Sequence, residues 1–356
     1  MSSGRKRKDL GAEEAAKRDP TALAHAVDLI FGTCRLAGAP SVIADFSDED
    51  KLNAIGEHDT AALFNMLVIA FSHQGTSDVV AHDYMQRHGT PTWRGINSEL
   101  SRGSGPSCDK LASYWQFSQC RYDKTSHTCS EPDHLDDCPL PTHRLRNGRL
   151  NQMAYSLFLF MRDIAAGDFV GWINEQLATV PSPDHSALDR QEAVIGPLRN
   201  VYAVSDKVLT MALSGILIAG SKHYPAWLEV GVGMVAVDTL VHNYLHRTGI
   251  LDRFDAAHQY GPRCYQTGYC ADILQVVSRH IDARQFDPSF PAVFPRFVQH
   301  AVWRYCSENG RDICNGNRVN DRMSCDNIYC QLTSICDKTA PKSANNEQCI
   351  SSIVKY

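Results

Sequence analysis

The sequence predicts a mostly α-helical protein. Apolar residues recur with the density and length of buried helices, most clearly at 58–74 and 151–177. Neither a series of strand patterns nor an internal repeat is visible. The 356 residues suffice for two lobes. Hydrophobic residues make up 43% of the chain and charged residues 21%, so most of it should be globular.

Seven segments follow from local composition. Residues 1–20 are predicted to be a disordered basic tail, because four basic residues at 5–8 have no apolar core behind them, which also argues against a secretory signal. The segments that follow are a helical region at 21–94, a cysteine-rich irregular insertion at 95–150, a helical region at 151–250, a variable insertion at 251–296, a last helix leading into clustered cysteines at 297–340, and a tail at 341–356.

Charge and cysteine content limit the class of protein. The net charge of −5 argues against DNA binding over the whole surface but allows a local basic cleft. Thirteen cysteines without a secretory signal favour an intracellular protein with free or metal-bound thiols. The longest mostly apolar stretch, 208–220, is shorter than the roughly 20 residues of a bilayer span, so no membrane contact is expected.

Four cysteines near the C-terminus have metal-ligand spacing. The pattern C-x10-C-x4-C-x5-C is formed by Cys314, Cys325, Cys330 and Cys336. Thiolates this close together suit a [4Fe–4S] cluster or zinc, and the spacing alone does not choose between them. Chance clustering of thiols is the alternative.

The run R-F-V-Q-H-A-V-W-R-Y-C-S-E-N-G-R-D-I-C resembles the end of endonuclease III, a helix-hairpin-helix DNA glycosylase. That family places C-x6-C-x2-C-x5-C after a short N-G-R-x-x-C motif, and the first two gaps are longer here. The resemblance implies a structural [4Fe–4S] cluster on the four cysteines. It also implies that the enlarged first loop presents Arg318 and Arg322 to DNA.

The run Y-A-V-S-D-K resembles the family's hairpin turn, L-P-G-V-G-x-K, with Ala203 and Ser205 in place of the glycines. The resemblance implies that backbone N–H groups at Val204 and Ser205 hold a DNA phosphate. It also puts Lys207 at the position of the amine nucleophile of the bifunctional members. A solvated lysine that opens a helix is the alternative.

The run V-D-T-L-V-H-N-Y-L-H-R-T-G resembles the family pattern that begins V-D-T-H. Asp238 then corresponds to the catalytic aspartate, and Arg247 is a candidate DNA contact. A carboxylate near C1′ stabilises the oxocarbenium character of glycosidic cleavage. The alternative is that Asp238 is the N-cap of a helix over 239–247.

The run L-F-N-M-L-V-I-A-F-S-H-Q resembles the family segment that carries a wedge glutamine. The resemblance implies that Gln74 enters the duplex where the target base leaves. A polar residue at a helix end is the alternative.

A second set of cysteines has wider spacing. Cys108, Cys120, Cys129 and Cys138 form C-x11-C-x8-C-x8-C, which suggests a second metal site, zinc being the expected ion, in a segment too poor in apolar residues to fold alone. Scattered free thiols are the alternative. Cys264 and Cys270 form a C-x5-C pair with weaker support.

The order of these motifs favours a two-lobed helix-hairpin-helix DNA glycosylase with a cysteine-rich insertion and a C-terminal [4Fe–4S] loop. Such an enzyme would flip a damaged or modified base out of double-stranded DNA and break its N-glycosidic bond, with lyase activity expected of Lys207. It would act as an intracellular monomer, with the nucleoid in a bacterium. Two other classes stay open: a non-catalytic DNA-binding protein with a degenerate hairpin, and a metal-dependent regulatory protein.

Overall fold

The computed structural model describes residues 11–76, 78–103, 105–123, 125–145, 148–181, 186–316 and 318–341. Helices dominate this part of the chain, which confirms the mostly helical prediction. Its strand-like pairing is limited to an isolated bridge between Asp123 and Thr128. None of its helices combines the length and apolarity needed to cross a bilayer. The chain divides into two compact units, residues 1–44 with 232–356, and residues 45–231.

The first unit is built around its last helix. Its helices are α1 (Ala12–Arg18), α2 (Pro20–Ala37), α14 (Thr239–Arg247), α15 (Ile250–Arg253), α16 (Cys270–Ser278) and α17 (Pro295–Cys306). Helix α17 packs against α2, α14 and α16. Leu29 and Ile30 of α2 and Phe297 of α17 are fully buried, so apolar contact between these helices forms the core.

The second unit is built around a central helix. Its helices are α4 (Glu49–Gly56), α5 (Thr60–Ser72), α6 (Asp78–His88), α7 (Trp93–Leu100), α8 (Tyr114–Phe117), α9 (Arg149–Leu159), α10 (Phe169–Ala178), α11 (Ala187–Leu198) and α12 (Asp206–Ala219). The central helix is α5, which contacts α4, α7, α9, α10 and α12. Phe64 of α5 meets Trp93 and Phe158 edge-on, at 5.6 and 6.1 Å between ring centroids. Two further helices, α3 (Pro40–Phe46) and α13 (Pro225–Gly233), cross the boundaries between the units.

One predicted segment is corrected, and a second contains a helix that composition did not predict. Residues 12–18 of the expected disordered tail form α1, which buries Ala12, Ala15 and Ala16 and is held by an ion pair between Glu13 and Arg279; residues 1–10 lie outside the described residues. The expected variable insertion at 251–296 contains α16, which packs on α1, α2 and α17. These two short helices are stabilised by packing against other helices of the unit, and local periodicity does not predict such contacts.

The cysteine-rich segment is irregular, as predicted, but begins after α7 ends at Leu100. Between α7 and α9, its described residues form α8, the isolated bridge, and three 3-10 turns at Asp109–Leu111, Pro132–His134 and Leu140–Thr142. The predicted helical regions 21–94 and 151–250 are each divided between the two units.

Candidate functional site

Residues 199–205 connect α11 to α12 in a tight turn. Ala203 has φ of +59°, in the left-handed region that glycine occupies at no steric cost. Ser205, in contrast, has φ of −92° and is the N-cap of α12. Arg199 Nε donates to Asp206 Oδ1 at 2.9 Å and so closes the turn. Of the two positions where the family pattern has glycine, the first therefore adopts a glycine conformation and the second does not require one.

Gln74 lies just beyond α5 and holds this turn. Its Nε2 donates to the carbonyl oxygen of Ala203 at 2.7 Å, and its Oε1 accepts from the backbone N–H of Ser205 at 2.6 Å. A wedge role for Gln74 would require both bonds to break. One of the N–H groups expected to bind phosphate is engaged by the same side chain.

The two residues expected to be catalytic belong to different units. Lys207 is half-buried at the second position of α12 in the second unit. Asp238 belongs to the first unit and is the N-cap of α14, where its Oδ1 accepts from the N–H of Val241 at 2.9 Å. The capping interpretation of Asp238 is confirmed. A capping carboxylate keeps its second oxygen as an acceptor, so capping and catalysis are compatible.

The backbone before Asp238 is held by a tyrosine. The hydroxyl of Tyr265 accepts from the N–H of Val237 at 3.0 Å and is 2.9 Å from the carbonyl oxygen of Val237, to which it donates. Tyr265 follows Cys264 directly in the sequence. The loop that carries Cys264 is thereby tied to the segment that presents Asp238.

Arg247 was expected to contact DNA, and this expectation is corrected. Its side chain is buried, and it forms an ion pair with Asp321. It also donates to the carbonyl oxygen of Cys314 at 2.8 Å and lies 3.7 Å from the Cys314 Sγ. A guanidinium engaged in this way inside the unit cannot reach a phosphate, so Arg247 organises the C-terminal cysteines.

The structure places the four C-terminal cysteines around one small cavity. The polar side chains that line it include Cys314, Cys325, Cys330, Cys336, Arg247 and Tyr305. A hydrogen bond from Cys306 and the charge of Arg247 lower the pKa of Cys314, whereas burial raises the pKa of Cys336 to about 11. Tyr305 Oη lies 3.4 Å from the Cys330 Sγ. Four thiols that converge on one void can ligate a metal centre.

Arg318 and Arg322 lie on the surface of the loop between Cys314 and Cys325. Arg318 Nε donates to Asp312 Oδ2 at 2.8 Å. The loop thus exposes two cations, and DNA contact by them stays a prediction.

The middle cysteines also converge. Cys108, Cys120, Cys129 and Cys138 line one small cavity, together with Leu111, Tyr122 and Leu140. Burial raises the pKa of Cys138 to about 11. All four cysteines are half-buried, beside the buried Leu111, Tyr122 and Leu140.

A third group was missed by the sequence analysis. His242 of α14, His258, Cys264 and Cys270 bring four buried ligand atoms within 4.8 Å of one another. This His2Cys2 group could hold a metal ion such as zinc. The weak Cys264–Cys270 pair is half of it, and the pattern H-x15-H-x5-C-x5-C was the signal that could have revealed the rest.

Among the described residues, the ligand atoms of the mixed group lie within 4.8 Å of one another, whereas each of the two cysteine sets lines a cavity. The first unit holds the mixed group and the C-terminal cysteines, and the second unit holds the middle cysteines. Neither the protein-family models nor the characterised proteins nor the solved structures with which the chain was compared match it.

Proposed function

We propose that this protein is a DNA N-glycosylase of the helix-hairpin-helix type, which removes a damaged or modified base and cleaves the resulting abasic site through Lys207. The observation that carries the proposal is the backbone of Ala203. Ala203 takes the place of the first glycine of the hairpin turn L-P-G-V-G-x-K, and it has a left-handed φ of +59°. An alanine rarely adopts that conformation without a structural requirement.

Each expected residue has a defined chemical role in the proposal. The carboxylate of Asp238 stabilises positive charge that develops on the sugar as the glycosidic bond breaks. Water takes the place of the departing base at C1′. The amine of Lys207 then adds to the C1′ aldehyde of the ring-opened abasic sugar and loses water to form a Schiff base; loss of a C2′ proton expels the 3′-phosphate and breaks the strand. The backbone N–H groups at the start of α12 and the exposed Arg318 and Arg322 bind phosphates.

The donor set of the C-terminal cavity fits a [4Fe–4S] cluster, which Cys314, Cys325, Cys330 and Cys336 would hold. When bound, the cluster would cross-link this loop and contribute no step to base removal. Arg247 favours the thiolate form of Cys314 through its charge. Iron and sulfide analysis with a visible absorbance band tests this assignment, because thiolate-bound zinc is colourless.

The glycosylase proposal is tested by incubating the full chain with duplexes that each carry one modified base, and by borohydride trapping on a duplex with an abasic site. We expect base release from at least one duplex and a covalent complex with the abasic DNA. Lys207→Ala should abolish trapping, and Asp238→Asn should abolish base release. Lys222→Ala is the matched control, since Lys222 is an exposed lysine of the same unit as Lys207.

A non-catalytic DNA-binding protein is the second candidate, favoured by one observation. Gln74 occupies the N–H of Ser205, which removes a donor from the phosphate site of a catalytic hairpin. Tight duplex binding that Asp238→Asn leaves unchanged, with no base released from any duplex, would support this candidate. Undetectable binding to every duplex would refute both.

A further inference from the structure

We propose that His242, His258, Cys264 and Cys270 form a closed structural zinc site in the first unit, separate from both four-cysteine sets. The four residues come from the middle of α14, from the loop after α15 and from the first position of α16. The site does not depend on the proposed glycosylase activity, because it follows from the geometry of these side chains alone.

The distances between the ligand atoms match a tetrahedron. His242 Nδ1 lies 3.4 Å from Cys270 Sγ and 3.6 Å from Cys264 Sγ. His258 Nε2 lies 3.3 Å from Cys264 Sγ and 3.5 Å from Cys270 Sγ. Zinc bonds of about 2.0–2.1 Å to nitrogen and about 2.3 Å to sulfur, at tetrahedral angles, separate N and S ligands by roughly 3.6 Å. All four measured distances fall close to this value.

The alternative is a metal-free pair of hydrogen bonds, each from one thiol to one imidazole, and it predicts different distances. Because a thiol has only one hydrogen to donate, each nitrogen would then lie close to one sulfur and farther from the other. Here each nitrogen is nearly equidistant from both sulfurs, and each sulfur is nearly equidistant from both nitrogens. Such equality is typical of four donors arranged around one central ion.

The surroundings of His258 prepare its ring for a metal. Its Nδ1 lies 2.7 Å from the carbonyl oxygen of Ala256, and a carbonyl can only accept, so Nδ1 carries the hydrogen. The lone pair of neutral His258 is therefore on Nε2, the atom that faces the sulfurs. His246, one turn beyond His242 on α14, lies with its Nε2 2.9 Å from the carbonyl oxygen of His258 and fixes the backbone there.

The burial of the site indicates a structural role. His242, Cys264 and Cys270 are at most 3% exposed, and only His258 keeps part of its surface accessible. Four protein ligands fill a tetrahedral shell and leave no position for substrate or water. The ion would join a loop with little regular structure to α14 and α16, and so would fix the position of this loop.

The test uses the full chain purified without chelator. Zinc is quantified per chain, and X-ray absorption at the zinc edge reports the ligand shell. We expect a shell that contains both nitrogen and sulfur, and the loss of one zinc per chain in the double variant Cys264→Ala/Cys270→Ala. The matched control is Cys34→Ala, since Cys34 is equally buried in the same unit and, among the described residues, belongs to no such ligand group.

If the double variant is insoluble, His258→Gln replaces it, because His258 lies nearest the surface and its loss should weaken zinc retention during dialysis against a mild chelator. The control should retain its zinc in the same dialysis. Three results would overturn the proposal: a wild-type chain that neither contains nor takes up zinc, a zinc shell of sulfur alone, or soluble ligand variants that retain as much zinc as the wild type.

Discussion

Ala203→Gly is expected to stabilise the second unit. Ala203 has φ of +59°, and an L-residue pays about 1–2 kcal/mol for that conformation. Glycine has no steric cost in that conformation. It also makes the unfolded chain more flexible, however, and this lowers the free energy of unfolding by about 0.4–1 kcal/mol. The net increase in the free energy of unfolding should be about 0.5–1 kcal/mol. The bond that Gln74 donates should persist, because it ends on the backbone oxygen of residue 203.

Tryptophan fluorescence during urea unfolding measures this change, since four of the five tryptophans lie in the second unit, at positions 93, 115, 172 and 227. The matched control is Ala212→Gly in the interior of α12, which should lower the free energy of unfolding by about 1 kcal/mol. If Ala203→Gly destabilised the unit as much as the control, the left-handed turn and the hairpin interpretation that depends on it would be refuted.

Four further predictions follow from the same contacts. Arg247→Ala should lower the free energy of unfolding of the first unit by about 3–5 kcal/mol, because it leaves a buried ion pair without its cation; exposed Arg322→Ala should change it by less than about 0.5 kcal/mol. Asp238→Asn should keep the helix cap and the stability while base release is lost, whereas Asp238→Ala should also cost about 1 kcal/mol in chemical denaturation. Gln74→Ala should cost about 1–2 kcal/mol in the same assay through two lost hydrogen bonds, and an unchanged midpoint would contradict this. Burial and the charges of Arg296 and Arg304 on the same helix lower the pKa of His300 to about 3. The imidazole therefore stays neutral in the folded state, whereas in the unfolded chain it takes up a proton near pH 6.5. Stability should therefore fall as the pH falls from about 6.5 towards 3, by about 1–2 kcal/mol at pH 5, and His300→Gln should remove that part of the acid sensitivity.

Periodicity and cysteine spacing predicted the local features of this chain. The helical runs at 58–74 and 151–177 correspond to α5 and to α9 with α10, since each has a long apolar face. Both four-cysteine sets converge on cavities, because their members are close enough in sequence to meet within one loop region. The N-cap at Asp238 also followed from residue type alone.

Features that depend on distant contacts were not predictable. Helix α1 has only seven residues and would be marginal as an isolated helix. It is stabilised by the neighbouring α2 and by α16, which is distant in sequence. The mixed metal-type group joins a helical histidine to a loop and to the start of another helix. Arg247 was expected to contact DNA because it matched the V-D-T-H family pattern. Its side chain is instead buried and forms an ion pair with Asp321, which lies in the enlarged cysteine loop far away in the sequence.

Helix α14 links several of these features along one rigid element. Asp238 caps its first turn, His242 enters the mixed group from its middle, and Arg247 at its last position contacts Cys314. Nine helical residues span only about 14 Å and move as one rod. Asp238, His242 and Arg247 therefore keep fixed spacings along this helix, so a substitution that unfolds α14 should disturb the cap, the mixed group and the C-terminal cysteines together.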